Sequence, residues 1–291
     1  MDGVIVVNKP EGITSFDVVR KLKKLCNTKK VGHTGTLDPL AAGVLVVCIG
    51  RATKIVDFLM NGNKTYEAVL KLGTVTDTYD REGKVIELHE VPNDEELIKR
   101  SILKFVGEIY QIPPMYSALK VNGKKLYDLA RQGIEIERKP RKLNIYDINI
   151  LKIDLPNVTF QVNCSKGTYI RSLCYDIGRE VGSGGAMWNL LRLSTGGFNI
   201  DQAVALDELS QDNIKSYVIP MDKALSNYKK VYFDDKYYKF LYNGVPIRTC
   251  VIPKEIKENI NYLVYLSNGN FIGIGSLNDK GFKINKLLNL E

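Results

Sequence analysis

The chain has 291 residues, of which 44% are hydrophobic and 25% charged, as is ordinary for a protein that folds around a core. That length allows one large domain and one small domain. No apolar run approaches the roughly 20 residues of a membrane span, and the N-terminus lacks a signal-peptide pattern. We therefore expect a cytoplasmic protein without a membrane partner.

The cysteine and histidine content argues against two kinds of site. The five cysteines are odd in number and form no C-x-x-C pair, so neither a disulfide framework nor a zinc site is supported. Two histidines are too few for a histidine-rich metal centre. The net charge of +8 and the pI of about 9.0 suit a polyanionic partner such as nucleic acid. Many basic proteins bind none, so charge alone leaves this open.

The first ninety residues contain clear element signals. VIVV (4–7) is typical of a short buried strand, and Thr14 with Asp17 has the spacing of a capping box for a helix at about 16–26. Further along we expect a buried strand at GVLVVCIG (43–50) and a helix at ATKIVDFLM (52–60). A second strand at TYEAVLKL (65–72) and a turn at TDTYDREG (76–83) follow.

The middle of the chain contains a basic, tyrosine-bearing segment. A helix at 94–105 capped by Asn93 and an extended stretch at 109–114 precede it. Residues 116–142 then carry eight basic and three acidic residues, a net charge of +5. We interpret the segment as an inserted arm with a short helix around 125–132. A plain surface hairpin is the alternative.

Residues 157–198 predict a strand, a helix and an apolar segment. NVTFQVNCS (157–165) alternates like a strand, and residues 167–182 are predicted to form a helix ended by glycines. Residues 187–198 form an apolar segment broken by paired glycines.

The last part of the chain predicts a separate β-rich unit. We place a domain boundary at about 226–229, so that residues 1–227 form one domain and 228–291 a small domain of short strands. That small domain is either an RNA-binding module or merely structural.

The loop GHTGTLDP (32–39) contains the strongest candidate for chemistry. Without a metal or thiol motif, chemistry has to rest on carboxylate, hydroxyl and cationic groups, and Asp38 can act as nucleophile or general base. Burial would raise its pKa, whereas a neighbouring arginine would lower it by about 1–3 units. Arg171, near a helix start, is the candidate partner. The alternative is a turn-forming Asp38 before proline.

Three rings have two interpretations each. His33 could stack on a base or fill the gap that a base leaves. The alternative is a structural histidine whose hydrogen bonds are satisfied within the glycine-rich loop. Tyr66, on the apolar face of its strand, and Tyr169 are either core tyrosines or rings that stack on a substrate base, an interaction worth about 1–3 kcal/mol.

Several segments in the same order resemble one enzyme family. They are NKPEGITSFDVV, GHTGTLDPLAAGVL, KTYEAVLKLG with TDTYDREG, QIPPMYSALKVNGKKLYDLARQG and CSKGTYIRSL. Together they cover nearly the whole chain and resemble the bacterial tRNA pseudouridine synthases of the TruB type, which modify uridine 55 in the T arm. One departure is NLLRL, which has only Arg192 where the family often has two arginines.

The resemblance implies a fold, a reaction and a set of roles. It implies an α/β (α+β) pseudouridine-synthase fold with a mixed, largely antiparallel sheet, an RNA-binding thumb at about 113–142 and a PUA-like C-terminal domain. It implies an isomerase without cofactor that flips its target base, binds tRNA without a guide RNA and acts as a monomer. A non-enzymatic RNA-folding factor is the second hypothesis. The residues to which the resemblance assigns roles are Asp38 (nucleophile), Arg171 (its ion-pair partner), Tyr66 (stacking on the uracil), and His33, Tyr169 and Leu190 (RNA contacts). From the charge of the arm we also expect Lys124 and Lys125 to contact RNA phosphates.

Overall fold

The computed structural model describes residues 1–117, 119–121, 123–248, 252 and 255–288. Cys250 lies outside the described residues. In chain order the strands are β1 (Gly3–Lys9), β2 (Val31–His33), β3 (Ala42–Ile49), β4 (Lys64–Leu72), β5 (Thr74–Thr76), β6 (Val85–Leu88), β7 (Gly107–Gln111), β8 (Lys120–Val121), β9 (Lys124–Lys125), β10 (Arg141–Asp154), β11 (Asn157–Cys164), β12 (Gly185–Thr195), β13 (Phe198–Asn199), β14 (Val204–Ala205), β15 (Lys230–Phe233), β16 (Asn261–Leu266), β17 (Phe271–Asn278) and β18 (Gly281–Leu287). The α-helices are α1 (Ser15–Leu25), α2 (Val56–Leu59), α3 (Glu95–Leu103), α4 (Leu126–Ala130), α5 (Ile170–Val181), α6 (Met221–Ala224) and α7 (Tyr238–Tyr242).

A large mixed sheet organises the first three quarters of the chain. Its strand order is β14-β1-β3-β12-β4-β11-β10-β7, with β2 alongside β3 and β13 alongside β12. The pairs β1–β14 and β3–β12 are parallel, and the other described pairs of this sheet are antiparallel. Helices α1, α3 and α5 pack their apolar faces on this sheet. The predicted mixed, largely antiparallel sheet is thus confirmed.

Helix α1 forms where its capping residues predict. The Thr14 hydroxyl accepts a hydrogen bond from the Asp17 amide at 3.1 Å, and the Asp17 carboxylate accepts one from the Thr14 amide at 2.9 Å. Val18, Val19 and Leu22 are buried against the sheet. Helix α5 likewise ends as expected, at Gly182 with φ +85°, a conformation that glycine adopts without strain.

Two local predictions need correction, and one segment without a predicted element forms a strand. The N-cap of α3 is Asp94 and not Asn93, because the Asp94 carboxylate is the group that accepts from the Leu97 amide, at 2.9 Å. The helix expected at 52–60 begins as a 3₁₀ helix over Gly50–Ile55 and continues as α2. The segment 187–198 contains most of β12, a strand at the centre of the large sheet.

The arm connects β7 to β10 and contains the predicted short helix, α4. Strands β8 and β9 pair to form a small hairpin just before that helix. The expected end at residue 142 is two residues too late, since Arg141 and Lys142 already pair with Gln111 and Tyr110 in the large sheet. The two ends of the arm therefore meet at the edge of the large sheet.

A second, four-stranded sheet, in the order β15-β16-β17-β18, forms the C-terminal part. It shares an apolar cluster with the large sheet, to which Val4, Val46, Leu263 and Ile274 belong. The division of the chain at about 227 remains a prediction. Among the described residues, every helix is too short or too polar to span a lipid bilayer.

Candidate active site

The loop between β2 and β3 presents Asp38 at the surface of the large domain. Strand β2 pairs with the far end of β3, so the chain must turn back sharply through residues 34–41. Leu37 is buried beneath the loop, while the side chain of Asp38 keeps 35% of its surface exposed. The carboxylate is thus accessible to a ligand, although the backbone beneath it is anchored in the core.

Arg171 brings three segments together around Asp38. Its side chain is only 6% exposed, and its Nε lies 2.9 Å from Asp38 Oδ2. One terminal nitrogen lies 3.4 Å from the buried carboxylate of Asp80, and the other donates to the carbonyl of Tyr116 at 2.8 Å. The expected contact between Asp38 and Arg171 is therefore present, and the same guanidinium also holds the 76–83 turn and the start of the arm.

Two side chains hold the loop from below. Lys9 is fully buried, and its ammonium donates to the carbonyls of Pro10 and Ile13 at 2.8 Å and of Pro39 at 3.3 Å. Ser15 both donates to the carbonyl and accepts from the amide of Leu37, at 2.9 and 2.8 Å. The residues on either side of Asp38 are thereby fixed, because their backbone groups have partners in the core.

Arg192 is a third buried cation next to the loop. It is 1% exposed, and it donates to the carbonyls of Val44 at 2.7 Å, Gly35 at 3.1 Å and Thr36 at 3.4 Å. Strand β3 approaches it so closely that a Cβ at Gly43, where φ is +103°, would lie 2.3 Å from the Arg192 carbonyl oxygen. Only glycine fits this position without displacing the backbone.

Desolvation dominates the electrostatics of Asp38. Desolvation raises the pKa of this carboxyl above its usual value, and the charge on Asp80 raises it further, whereas Arg171, Lys9 and Arg192 lower it. Arg171 thus acts in the direction expected from the sequence without fully compensating desolvation. A carboxylate with a raised pKa is a better proton acceptor than a free aspartate, which suits a catalytic base or nucleophile.

The predicted aromatic and apolar site residues lie on β4, on β12 and before α5. Tyr66 and Leu190 are nearly buried on the neighbouring strands β4 and β12, where Tyr66 pairs with Arg192 and Leu190 with Ala68. Tyr169 precedes α5, and the side-chain amide of Gln111 fixes its backbone with hydrogen bonds of 2.8 and 3.0 Å. Burial raises the pKa of both tyrosines, which keeps their hydroxyl groups protonated.

His33 ends β2 on the same side as the loop. Its Nδ1 is buried and has no hydrogen-bond partner in the described part of the chain. Burial, with a contribution from Arg192, lowers the pKa of His33, so the neutral imidazole is favoured at neutral pH. A neutral ring with an unused polar atom can pack against a nucleobase without bringing a charge into the site.

Two predicted RNA contacts belong to the arm. Lys124 is exposed on the β8–β9 hairpin of the arm, and the side chain of Lys125 lies outside what the structure describes. The assignment of both lysines as RNA contacts remains a prediction.

Comparison with known proteins identifies the family. Residues 23–170 match the sequence profile of the TruB family pseudouridylate synthase N-terminal domain, and residues 171–226 match that of the tRNA pseudouridylate synthase B C-terminal domain. The chain is also 56% identical over 288 residues to tRNA pseudouridine synthase B of Clostridium acetobutylicum, across 99% of this chain and 100% of the relative. It belongs to the TruB family of pseudouridylate synthases.

Other relatives agree with this assignment. Among TruB relatives, tRNA pseudouridine synthase B of Clostridium kluyveri is 55% identical, across 99% of both chains. A solved chain from a Cbf5–Nop10–Gar1 complex superposes with a TM-score of 0.75 at 28% identity, covering 99% of this chain and 85% of its own. A chain of an H/ACA RNP bound to a substrate RNA containing 2′-deoxyuridine gives 0.74 at 27% identity, covering 99% of this chain and 85% of its own. The pseudouridine-synthase fold is thus confirmed.

Four groups in this TruB family member were not singled out from the sequence. The sequence predicts Asp80 only as part of a turn, and it assigns no role to Lys9, Gln111 or Arg192. Asp80, Gln111 and Arg192 contact residues far away in sequence, and Lys9 bonds both to nearby residues and to the distant Pro39. The one available signal was chemical, since a charged residue inside an apolar strand, as in VVNK or LLRL, needs a partner when that strand is buried.

Proposed function

We propose that this protein converts uridine 55 in the T arm of tRNA to pseudouridine, with Asp38 as the catalytic carboxylate. The observation that carries the proposal is the partly exposed Asp38 carboxylate paired with a buried Arg171 at 2.9 Å. The names of the full-length relatives, which are tRNA pseudouridine synthases, support tRNA as the substrate. Position 55 follows from the resemblance of the motifs.

The reaction requires few groups. The N1–C1′ bond breaks, the base turns, a C5–C1′ bond forms, C5 loses its proton and N1 ends with one. No atom is gained or lost overall and there is no net oxidation or reduction, since the formal changes at C1′ and C5 cancel, so the chemistry needs no redox cofactor. Asp38 can serve by attack at C1′, by attack at C6 or by assisting glycal formation, and its raised pKa suits each of these roles.

The target uridine lies in a folded loop and has to be flipped out, which costs a few kcal/mol. In this proposal Tyr66 stacks on the flipped uracil and His33 fills part of the vacated space. Tyr169 and Leu190 form the remaining walls. Arm residues Lys124 and Lys125 contact phosphates, and these contacts together with stacking offset the cost of flipping.

Replacing Asp38 by asparagine tests the catalytic role. Asp38→Asn keeps the shape of the side chain, so we expect tRNA binding close to that of the wild type and no release of tritium from a tRNA labelled at C5 of its uridines. Asp57→Asn, at an exposed position of α2, is the matched control and should release tritium normally. Normal turnover by Asp38→Asn would refute the role.

We further propose that the protein acts alone, as a cytoplasmic monomer without a guide RNA. This is supported by the names of the full-length relatives, which refer to tRNA and to no second chain. The purified chain should modify an unmodified tRNA transcript with no other component present. Light scattering of the active protein should give a single-chain mass, and a requirement for added RNA or protein would contradict the proposal.

A further inference from the structure

Helix α1 carries an aromatic ring on its outer face. Phe16 is 57% exposed, and the Arg20 guanidinium and the Lys23 ammonium lie 5.4 and 5.6 Å from the centre of its ring. Single exposed apolar residues are common and need no explanation. An exposed ring with two cations within 6 Å of its centre is more specific, since it offers an aromatic surface and two positive charges together.

The outer face of α1 is fixed relative to Asp38. Ser15, the neighbour of Phe16, is bonded to both backbone groups of Leu37, the residue before Asp38. The opposite face of α1 is buried in the core of the large domain. Phe16 therefore stands on a rigid element whose first turn is attached directly to the loop of the candidate active site.

The charges around α1 favour a polyanion. Residues 16–30 contain six basic residues and one acidic residue. That acid, Asp17, is already bonded to Thr14 and to Arg20, the latter at 2.7 Å. Residues 77–96 show the opposite pattern, with eight acidic and two basic residues and an exposed apolar Leu88. The charge is thus separated along the chain, and the exposed ring of α1 belongs to the positive segment.

We propose that the outer face of α1, formed by Phe16, Arg20 and Lys23, binds a second unpaired nucleotide of the same RNA. The base stacks on the Phe16 ring, and the two cations contact the phosphates on either side of it. This inference rests on the proposed function for the identity of the RNA. It adds a contact outside the Asp38 cleft, which positions the substrate without taking part in the reaction.

Binding measurements separate this contact from chemistry. All variants are made in the Asp38→Asn background, and the probe is an unmodified tRNA transcript. We expect Phe16→Ala to weaken binding about 5- to 150-fold, from the loss of one base–ring stack. Phe16→Trp keeps a stacking face and should bind like the parent. Leu88→Ala removes an apolar side chain that is 75% exposed in the acidic segment, and should leave binding unchanged.

Two results would overturn the inference. One is equal affinity of Phe16→Ala and its parent, and the other is an equal loss in Leu88→Ala. A photoreactive benzoylphenylalanine at position 16 should crosslink to the tRNA, whereas the same group at position 88 should not. Failure of the proposed function is recognised separately, because wild-type protein would then release no tritium from C5 whatever the binding results are.

Discussion

Replacing Arg192 by methionine should loosen the loop of the candidate active site. The change leaves the fully buried carbonyl of Val44 and the partly buried carbonyls of Gly35 and Thr36 without their donor. An unpaired buried carbonyl costs about 1–3 kcal/mol, and the two outer carbonyls can recover part of this from water. Removing a buried cation returns some desolvation energy. We therefore expect the free energy of unfolding to fall by about 2–4 kcal/mol.

Activity should respond more strongly than stability to Arg192→Met. A displacement of about 1 Å in a reacting group can cost roughly 100-fold, so we expect a loss of that order in kcat/KM for tritium release. Urea unfolding gives the stability, and Arg192→Lys should recover part of both losses. Arg51→Met, which breaks an exposed ion pair with Asp2, is the control and should change stability by less than about 0.5 kcal/mol. Wild-type stability and activity in Arg192→Met would refute this reasoning.

Three further predictions concern charge. Asp80→Asn removes a charge that raises the pKa of Asp38, so the acidic limb of the pH–rate profile should move to lower pH; an unmoved limb contradicts this. Burial lowers the pKa of Lys9 from 10.5 to about 8. Between about pH 8 and pH 10.5, Lys9 is therefore protonated to a greater extent in the unfolded chain than in the folded protein. Urea titrations should therefore show stability rising with pH across that window, relative to Lys9→Met. Reversing the charges of Lys124 and Lys125 should weaken tRNA binding. The slope of the logarithm of the binding constant against the logarithm of the salt concentration should become shallower by about two. An unchanged slope would mean that these lysines do not contact phosphates.

Local patterns predicted the elements that local physics determines. The capping box before α1, the alternation in β4 and the glycines after α5 each depend on residues within a few positions of one another. Strands β10 and β12 were not predicted, because β10 mixes charged and apolar residues and β12 contains a bulge between Met187 and Asn189. Their pairing depends on neighbours that are distant in sequence.

In the site, too, features that depend on nearby residues were predictable and contacts between distant residues mostly were not. Asp38 was recognisable because, without a metal or thiol motif in the sequence, a carboxylate in a glycine-rich loop is a candidate for chemistry, whereas its contact with Arg171 was expected from the family pattern and from electrostatics. Asp80 looked like an ordinary turn residue, since nothing in the sequence shows that its carboxylate faces a guanidinium. Lys9 and Arg192 bind backbone carbonyls, which every residue carries, and so leave no pattern at the partner positions.

The hydrogen bond from Arg171 to the carbonyl of Tyr116 has a consequence for how the arm can evolve. A backbone oxygen survives any amino-acid replacement, so the side chains beyond it are free to diversify and to adapt to different RNA surfaces. Insertions and deletions between β7 and that oxygen should not be tolerated, because they would move the oxygen away and leave the Arg171 guanidinium without its third partner. Arm grafts between relatives should therefore tolerate wholesale changes of composition but fail when the spacing from the sheet edge changes by a single residue.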